Sequence, residues 1–245
     1  MDSGVPKNSC AVCRLADLCL PYGLHANEVQ KLATIVKNKR PLRTDEFLYS
    51  QGDEGQSLYA VKSGSFRSFI TNSDGLEQTI GFYLPGELMG LDSLQFGRYT
   101  CSIVALETGT VCDLPISHLK ELCTEIPGLQ AQLIRVLGKE ITSDHDKILL
   151  LGHRSAKARM ATFLLMLSLR YAALGFSSTE FNLSMRRHDI ANFLGLTIET
   201  VSRQLAYLSK QEIISIQQRS VQIKNLALLR SIVEPSQPVP LCSAE

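Results

Sequence analysis

The sequence predicts an α+β chain in three parts: an N-terminal antiparallel β-roll, a long dimerisation helix and a C-terminal winged helix-turn-helix. Three observations carry this. Short apolar runs separated by glycine-containing turns fill residues 42–114, the texture of an antiparallel barrel or double sheet. Between Gly128 and Gly152, the residues Ile134, Leu137, Ile141, Asp144, Ile148 and Leu151 recur at steps of three and four, which keeps one narrow stripe of a helix facing a partner helix. From Ser184 to Lys210, two short apolar helical faces flank a glycine.

Composition bounds the rest. With 245 residues, 44% of them hydrophobic, the chain has room for two cores. It has no apolar run long enough to cross a bilayer, so a soluble protein with no membrane partner is expected. Met1 to Asn8 holds one Lys and no apolar core, which is not a secretory signal and makes a cytoplasmic location the default. Residues 1–152 carry 14 Lys and Arg against 18 Asp and Glu, net −4; residues 153–245 carry 11 against 6, net +5; together they return the whole-chain +1. A basic second half fits contact with an anion such as DNA.

In chain order, the first feature is a C-x2-C-x5-C arrangement of Cys10, Cys13 and Cys19, in a segment too short to bury them in a core of its own. Disulfides are unstable in a reducing cytosol, so thiolate ligation of a metal is the better explanation than cysteines that merely lie close together. Cys101, Cys112, Cys123 and Cys242 are the available fourth ligands. Zn2+ or an iron–sulfur cluster would each accept four thiolates.

Next comes the β-roll. Gly52-Asp53, Ser63-Gly64, Asp74-Gly75, Pro85-Gly86 and Thr108-Gly109 punctuate it. The strands predicted between them are Ser57 to Val61, Phe66 to Ile70, Thr79 to Leu84, Ser102 to Leu106 and Thr110 to Leu114. No nucleophile elbow, P-loop or H-E-x-x-H helix occurs, and the five histidines are scattered, so nothing supports an enzyme. His145, between two aspartates, reads as a solvated helix position.

The seam helix follows. Its periodicity alone also fits an ordinary core helix; Asp144 favours the seam. A carboxylate amid apolar seam positions is costly to bury, and two would meet in a symmetric parallel pair, so the pairing is weakened in a way that suits a switchable dimer. Gly152 is expected to cap this helix, His153 and Arg154 to form a hinge, and Ser155 to start the buried helix Ala156 to Ala173.

In the last part, Ile190, Ala191 and Leu194 form one buried face, Gly195 turns the chain, and Thr197 caps a second helix buried through Val201, Leu205 and Leu208. Glu199, Ser202 and Arg203 then point the other way, at the N-terminal end where a recognition helix meets base edges. Arg can bridge guanine O6 and N7, Glu can accept from cytosine N4, and Ser can bond a base edge or a phosphate. Ile213 to Gln217 and Ser220 to Lys224 alternate around Gln218-Arg219 like a hairpin wing. Arg186, Arg187, Lys210 and Arg219 add positive charge to this small unit, against the bland alternative of a solvated helical hairpin.

The order of these parts, over roughly Cys10 to Ile223, resembles the catabolite activator superfamily, whose β-roll is of the cyclic-nucleotide-binding kind. Within it, the run Asn192-Phe193-Leu194-Gly195-Leu196-Thr197-Ile198-Glu199-Thr200-Val201-Ser202-Arg203 is similar to the recognition region of the oxygen-sensing FNR branch, the fumarate and nitrate reduction regulators. So is Ile148-Leu149-Leu150-Leu151 in the seam. In that branch three N-terminal cysteines spaced like Cys10, Cys13 and Cys19, and one on a late β-roll strand, ligate a [4Fe–4S] cluster. Ala105-Leu106-Glu107-Thr108-Gly109-Thr110-Val111-Cys112 is similar to that strand, which makes Cys112 the implied fourth ligand and demotes Cys101, Cys123 and Cys242.

The resemblance implies an oxygen-responsive transcriptional regulator that dimerises when oxygen is low. Such a regulator reads a palindromic double-stranded DNA site of the TTGAT-N4-ATCAA type, controls anaerobic genes together with RNA polymerase, and comes apart when its cluster is oxidised. Cyclic-nucleotide-binding relatives hold the cyclic phosphate with a β-roll Arg followed by Ser or Thr; here that place reads Thr100-Cys101, and Arg98 lies two residues early, so no cyclic nucleotide is expected. Leu76 stands in the Thr71 to Leu76 loop where relatives that touch the polymerase often carry an acid.

The expected divisions are a cysteine segment (1–24), the β-roll (25–126), the dimerisation helix (127–152), the winged helix-turn-helix (153–228) and a disordered tail (229–245), in which Pro235 to Glu245 holds three prolines. Two rivals stand beside this reading. One is a zinc-stabilised, small-ligand-regulated transcription factor of the same superfamily; the other is an electron-transfer protein that uses its helical domain for partner contacts.

Overall fold

The computed structural model describes residues 10–153 and 155–233, the side chain of His153 apart. The expectations for Met1 to Asn8, Arg154, Cys242 and Pro235 to Glu245 lie outside the described residues, but the tail expected to be disordered from Leu229 instead begins in a helix, Leu226–Ile232, anchored by the buried Leu229. The chain divides into two compact units, residues 1–144 and 145–245.

In the first unit two four-stranded antiparallel sheets pack on each other. One runs β1 (Lys37–Asn38), β8 (Thr110–Pro115), β3 (Ser57–Ser63), β6 (Leu88–Met89); the other runs β2 (Phe47–Tyr49), β7 (Ser102–Ala105), β4 (Phe66–Thr71), β5 (Glu77–Tyr83). Strand β3 shows why its sequence is apolar at nearly every position. Tyr59 and Val61 join Phe66, Ile103, Ala105 and Val111 in the core shared by the sheets. Leu58 and Ala60, on the alternate side, join a second core with Leu20, Leu32 and Leu129. The β1-β8-β3-β6 sheet is therefore a middle layer, and its outer face is covered by α1 (Ala26–Ile35), α3 (Ile116–Glu125), the start of α4 (Pro127–His153) and the cysteine segment, while α2 (Ser93–Phe96) is a single turn between β6 and β7. Strands β1, β2 and β6 were not foreseen, being two or three residues long.

Helix α4 spans Pro127–His153. Proline explains its beginning: Ile126, restricted by the ring that follows it, takes φ −124° and ψ 89°, which ends α3, and Pro127 fits the first helical position because it has no N–H to leave unpaired. Gly152 is not the expected cap, since the helix runs through it to His153. Nothing in its surroundings requires a glycine there, as a Cβ would meet no atom within 4 Å.

The second unit contains α5 (Ala156–Ala173), α6 (Arg187–Leu194), α7 (Ile198–Lys210), α8 (Leu226–Ile232) and a three-stranded antiparallel sheet, ordered β10 (Ile214–Gln217), β11 (Ser220–Ile223), β9 (Glu180–Asn182). Ser155 starts α5 as expected, its hydroxyl accepting from the Ala158 amide at 3.2 Å. The wing gains the unforeseen strand β9, whose Phe181 pairs opposite Val221 and stacks on Tyr171. Among the described residues no helix is long and apolar enough to cross a membrane.

Candidate cysteine pocket and nucleic-acid interface

The cysteine segment folds as successive tight turns. Cys13 donates its amide to the Cys10 carbonyl, Ala16 to Cys13, Cys19 to Ala16 and Tyr22 to Cys19, each across three residues. This winding brings Cys10, Cys13 and Cys19 to the wall of one pocket, whose opposite wall is the outer face of the middle sheet around Ala60, Lys62 and Cys112. All four cysteines are free thiols and half-buried. Cys101 instead sits buried in the β-roll core beside Tyr49 and Asp92, and Cys123 lies on α3. Neither lines the pocket.

The segment is held close. Leu20 is buried in the second core, a contribution of about 1.5–3 kcal/mol for a side chain of that size. Gly86 takes φ +90°, and a Cβ there would come within 2.9 Å of the Leu18 Cβ, so the β-roll leaves no room for a side chain beneath the segment.

Electrostatically the pocket is costly to charge. Burial pushes the Cys19 thiol up to about 12 and the Cys10 thiol up to about 11, and repulsion among the neighbouring cysteines adds to both. Burial also raises Cys112, opposed by the Lys62 ammonium. Cys10 and Cys19 are therefore thiols, not thiolates, at neutral pH. Among the described residues no three Cys, His, Asp or Glu side chains form a group that would hold a single metal ion.

The cysteine segment also touches α4. Gln132, buried on that helix, donates from Nε2 to the Cys19 carbonyl at 3.4 Å; Arg135 lies over the Tyr22 ring at 5.4 Å; and Gly128 faces Leu24. Leu129, Leu133 and Val136 continue this packed face. Around the helix from it, Ile134, Ile141 and Ile148 are 62%, 57% and 67% exposed, Asp144 and Leu151 are exposed and Leu137 is half-buried. Gln132 escaped the sequence reading because its partner is 113 residues away.

At Thr100-Cys101, where the resemblance puts the groups that hold a cyclic phosphate, an acid lies close. Thr100 donates both its amide, at 2.6 Å, and its hydroxyl, at 2.8 Å, to Asp92, while Arg98 turns away to the Gly52 carbonyl.

In the second unit, α6 ends at Gly195, whose φ of +60° lets the Leu196 amide return to the Ala191 carbonyl. Thr197 then starts α7 by accepting from the Thr200 amide at 3.2 Å. Ile190, Ala191, Leu194, Val201, Leu205 and Leu208 are buried as expected, together with Phe193, whose ring lies 5.9 Å from Phe163. Glu199, Ser202 and Arg203 are exposed together on α7, with Arg203 braced on the Thr200 hydroxyl at 3.3 Å. The helix start holds Glu199 below the usual carboxylate range through a backbone hydrogen bond, so it stays an acceptor. Arg159 on α5, a residue the sequence reading passed over, clamps this turn to the end of α4: its guanidinium donates to the Leu151, Leu194 and Gly195 carbonyls. Arg187 keeps a buried nitrogen without a partner among the described residues.

A β-roll followed by a long helix and a winged helix-turn-helix with an exposed polar recognition face defines a DNA-binding transcription regulator. Comparison with known proteins bears this out. Residues 39–125 match the cyclic nucleotide-binding domain and residues 158–232 match the Crp-like helix-turn-helix domain. The transcriptional activator protein Anr of Pseudomonas protegens is 44% identical over 214 residues, covering 87% of this chain and 88% of that one. The fumarate nitrate reduction regulatory protein of Klebsiella oxytoca is 38% identical over 232 residues, covering 95% and 93%. The solved structure of FixK2 from Bradyrhizobium japonicum superposes with a TM-score of 0.74 at 30% identity, covering 81% of this chain and 97% of that one. The chain belongs to the Crp/FNR family of transcription regulators, in the branch that includes the FNR and Anr proteins.

Proposed function

We propose that this chain is an oxygen-responsive regulator in which Cys10, Cys13, Cys19 and Cys112 hold a [4Fe–4S] cluster, and in which that site decides whether the α4 seam pairs. The observation that carries the reading is the meeting of these four cysteines, of the seven in the chain, at one pocket. The donor set fits the group. Four-coordinate zinc draws its thiolates to about 2.3 Å from one centre, whereas a four-iron cluster takes one thiolate at each iron and keeps them apart. The pocket gathers four thiols, the donor set of such a cluster, and the likeness to the FNR and Anr proteins favours it over zinc. The cluster supplies a group that molecular oxygen converts or destroys.

The chain's own residues do the rest. With all four sulfurs engaged, the segment through Cys19 is fixed on the middle sheet, and its carbonyl keeps Gln132 and hence α4 in place. Ile134, Leu137, Ile141, Ile148 and Leu151 then bury against the same residues of a second copy, which outweighs the repulsion of two Asp144 carboxylates. With the sulfurs released, Cys10 and Cys19 take protons, the segment loosens and Asp144 tips the balance to the monomer. In the dimer two recognition helices lie about one DNA turn apart and read a TTGAT-N4-ATCAA palindrome through Glu199, Ser202 and Arg203. Asp92 at the phosphate position disfavours a cyclic nucleotide as effector. RNA polymerase is the further partner this reading implies, and Leu76, exposed at its hairpin tip, lies on the surface the resemblance assigns to it. The setting is cytoplasmic.

Fluorescence anisotropy with a labelled TTGAT-N4-ATCAA duplex tests this. Wild type binds only without oxygen, and Asp144→Ala binds with and without it, because seam pairing strengthens by roughly tenfold, about 1.4 kcal/mol. Equal binding by wild type in both atmospheres, or a D144A variant that stays monomeric and inactive in air, contradicts the proposal.

A further inference from the structure

The bulge on β3 holds a cation across the cysteine pocket. In the middle sheet Cys112 lies on the central strand β8, between Asn38 of β1 and Ala60 of β3 in direct register. The β3 and β8 register shifts between Val61 and Ser63, which leaves Lys62 as the extra residue of a β-bulge. Bulges of this kind re-aim a side chain. Here Lys62 lies on the Ala60 and Cys112 side of the sheet, and its Nζ donates to the Asn38 Oδ1 at 3.4 Å, a bond made from one flanking strand to the other. The side chain therefore passes over β8 at the level of Cys112. Among the described residues lining the pocket, Lys62 is the one that carries a charge; the rest are the four cysteines and apolar groups.

Four thiolates around a core of two positive charges leave an anionic site in a largely apolar wall. A fixed ammonium beside it offsets that charge more strongly than it would in water. We propose that Lys62, strapped over Cys112 by Asn38, is a positioning residue that neutralises part of the charge of the loaded cysteine pocket and so sets how readily its cluster gains an electron. This rests on the cluster reading above. In the step concerned, one electron passes from an electrode to the bound cluster, no bond to the chain is broken, and the site becomes more negative by one charge. A nearby cation favours that product, so removing the cation makes reduction harder.

The test is protein-film voltammetry of the anaerobically reconstituted full chain, comparing wild type with Lys62→Met, Lys62→Arg and Asn38→Ala, with iron content measured on each sample. The midpoint potential of Lys62→Met falls, the reduction equilibrium weakening about tenfold, which is about 59 mV for a one-electron couple. Lys62→Arg, which keeps the charge, stays close to wild type, and Asn38→Ala, which keeps the charge but frees it, falls between the two. Iron content equal to wild type with an unmoved potential in Lys62→Met overturns the role of Lys62 and leaves the cluster reading standing. A wild-type chain that takes up no iron overturns both.

Discussion

The recognition unit and the cysteine pocket differ in how complete they are. Around the helix-turn-helix the chain supplies its own partners: Thr197 caps α7, Gly195 closes α6, and Arg159 satisfies three carbonyls at the junction with α4. At the pocket four half-buried thiols line one cavity, burial disfavours Cys10, Cys19 and Cys112 as thiolates, and α4 beyond Gln132 exposes three isoleucines. The helix-turn-helix satisfies its own polar groups, while the cysteine pocket concentrates thiols that a bound metal group would use; on the proposed function, regulation lies at the pocket.

Three substitutions break or sharpen that contrast. The largest effect is expected from Cys112→Ser, which removes the one proposed ligand anchored in the sheet. Iron retention and oxygen-dependent dimerisation are lost together, while the circular dichroism of the helical second unit is unchanged; iron analysis and sedimentation read both. Arg203→Ala acts at the finished end. It costs about 1–3 kcal/mol of discrimination at a single base pair, measured by anisotropy with singly altered duplexes, and leaves colour and dimerisation as in wild type. Gln132→Leu is the smallest and the most specific. Losing the bond to the Cys19 carbonyl costs about 1 kcal/mol. The variant keeps its cluster but dimerises less fully for the same iron content, so colour and mass come apart.

Much of the architecture was legible beforehand because its signals are local. Glycine-marked turns bound the longer strands, the three-four spacing marks the exposed isoleucine stripe of α4, and Thr197, Gly195 and Ser155 act as cap, turn and cap as their residue types dictate. What escaped was set by partners far along the chain. Strands β1 and β6 exist only through pairing with β8 and β3. Gln132 and Lys62 read as ordinary polar positions until Cys19 and Asn38 are placed beside them. Gly152 misled because a glycine at a helix end usually caps it, yet here α4 continues to His153. Spacing leaves Cys101, Cys112, Cys123 and Cys242 open as the fourth cysteine and only the resemblance picks Cys112; the sheet register shows why it is the one that reaches the pocket among the described residues.

Control of α4 pairing by the cysteine pocket is read from the absorption spectrum of the anaerobically purified full chain, followed as air is admitted, with molecular mass tracked throughout. The expected result is a brown dimer with broad visible absorption that bleaches and becomes a monomer together. A colourless, zinc-containing protein of constant mass, or a dimer that survives complete bleaching, would contradict it.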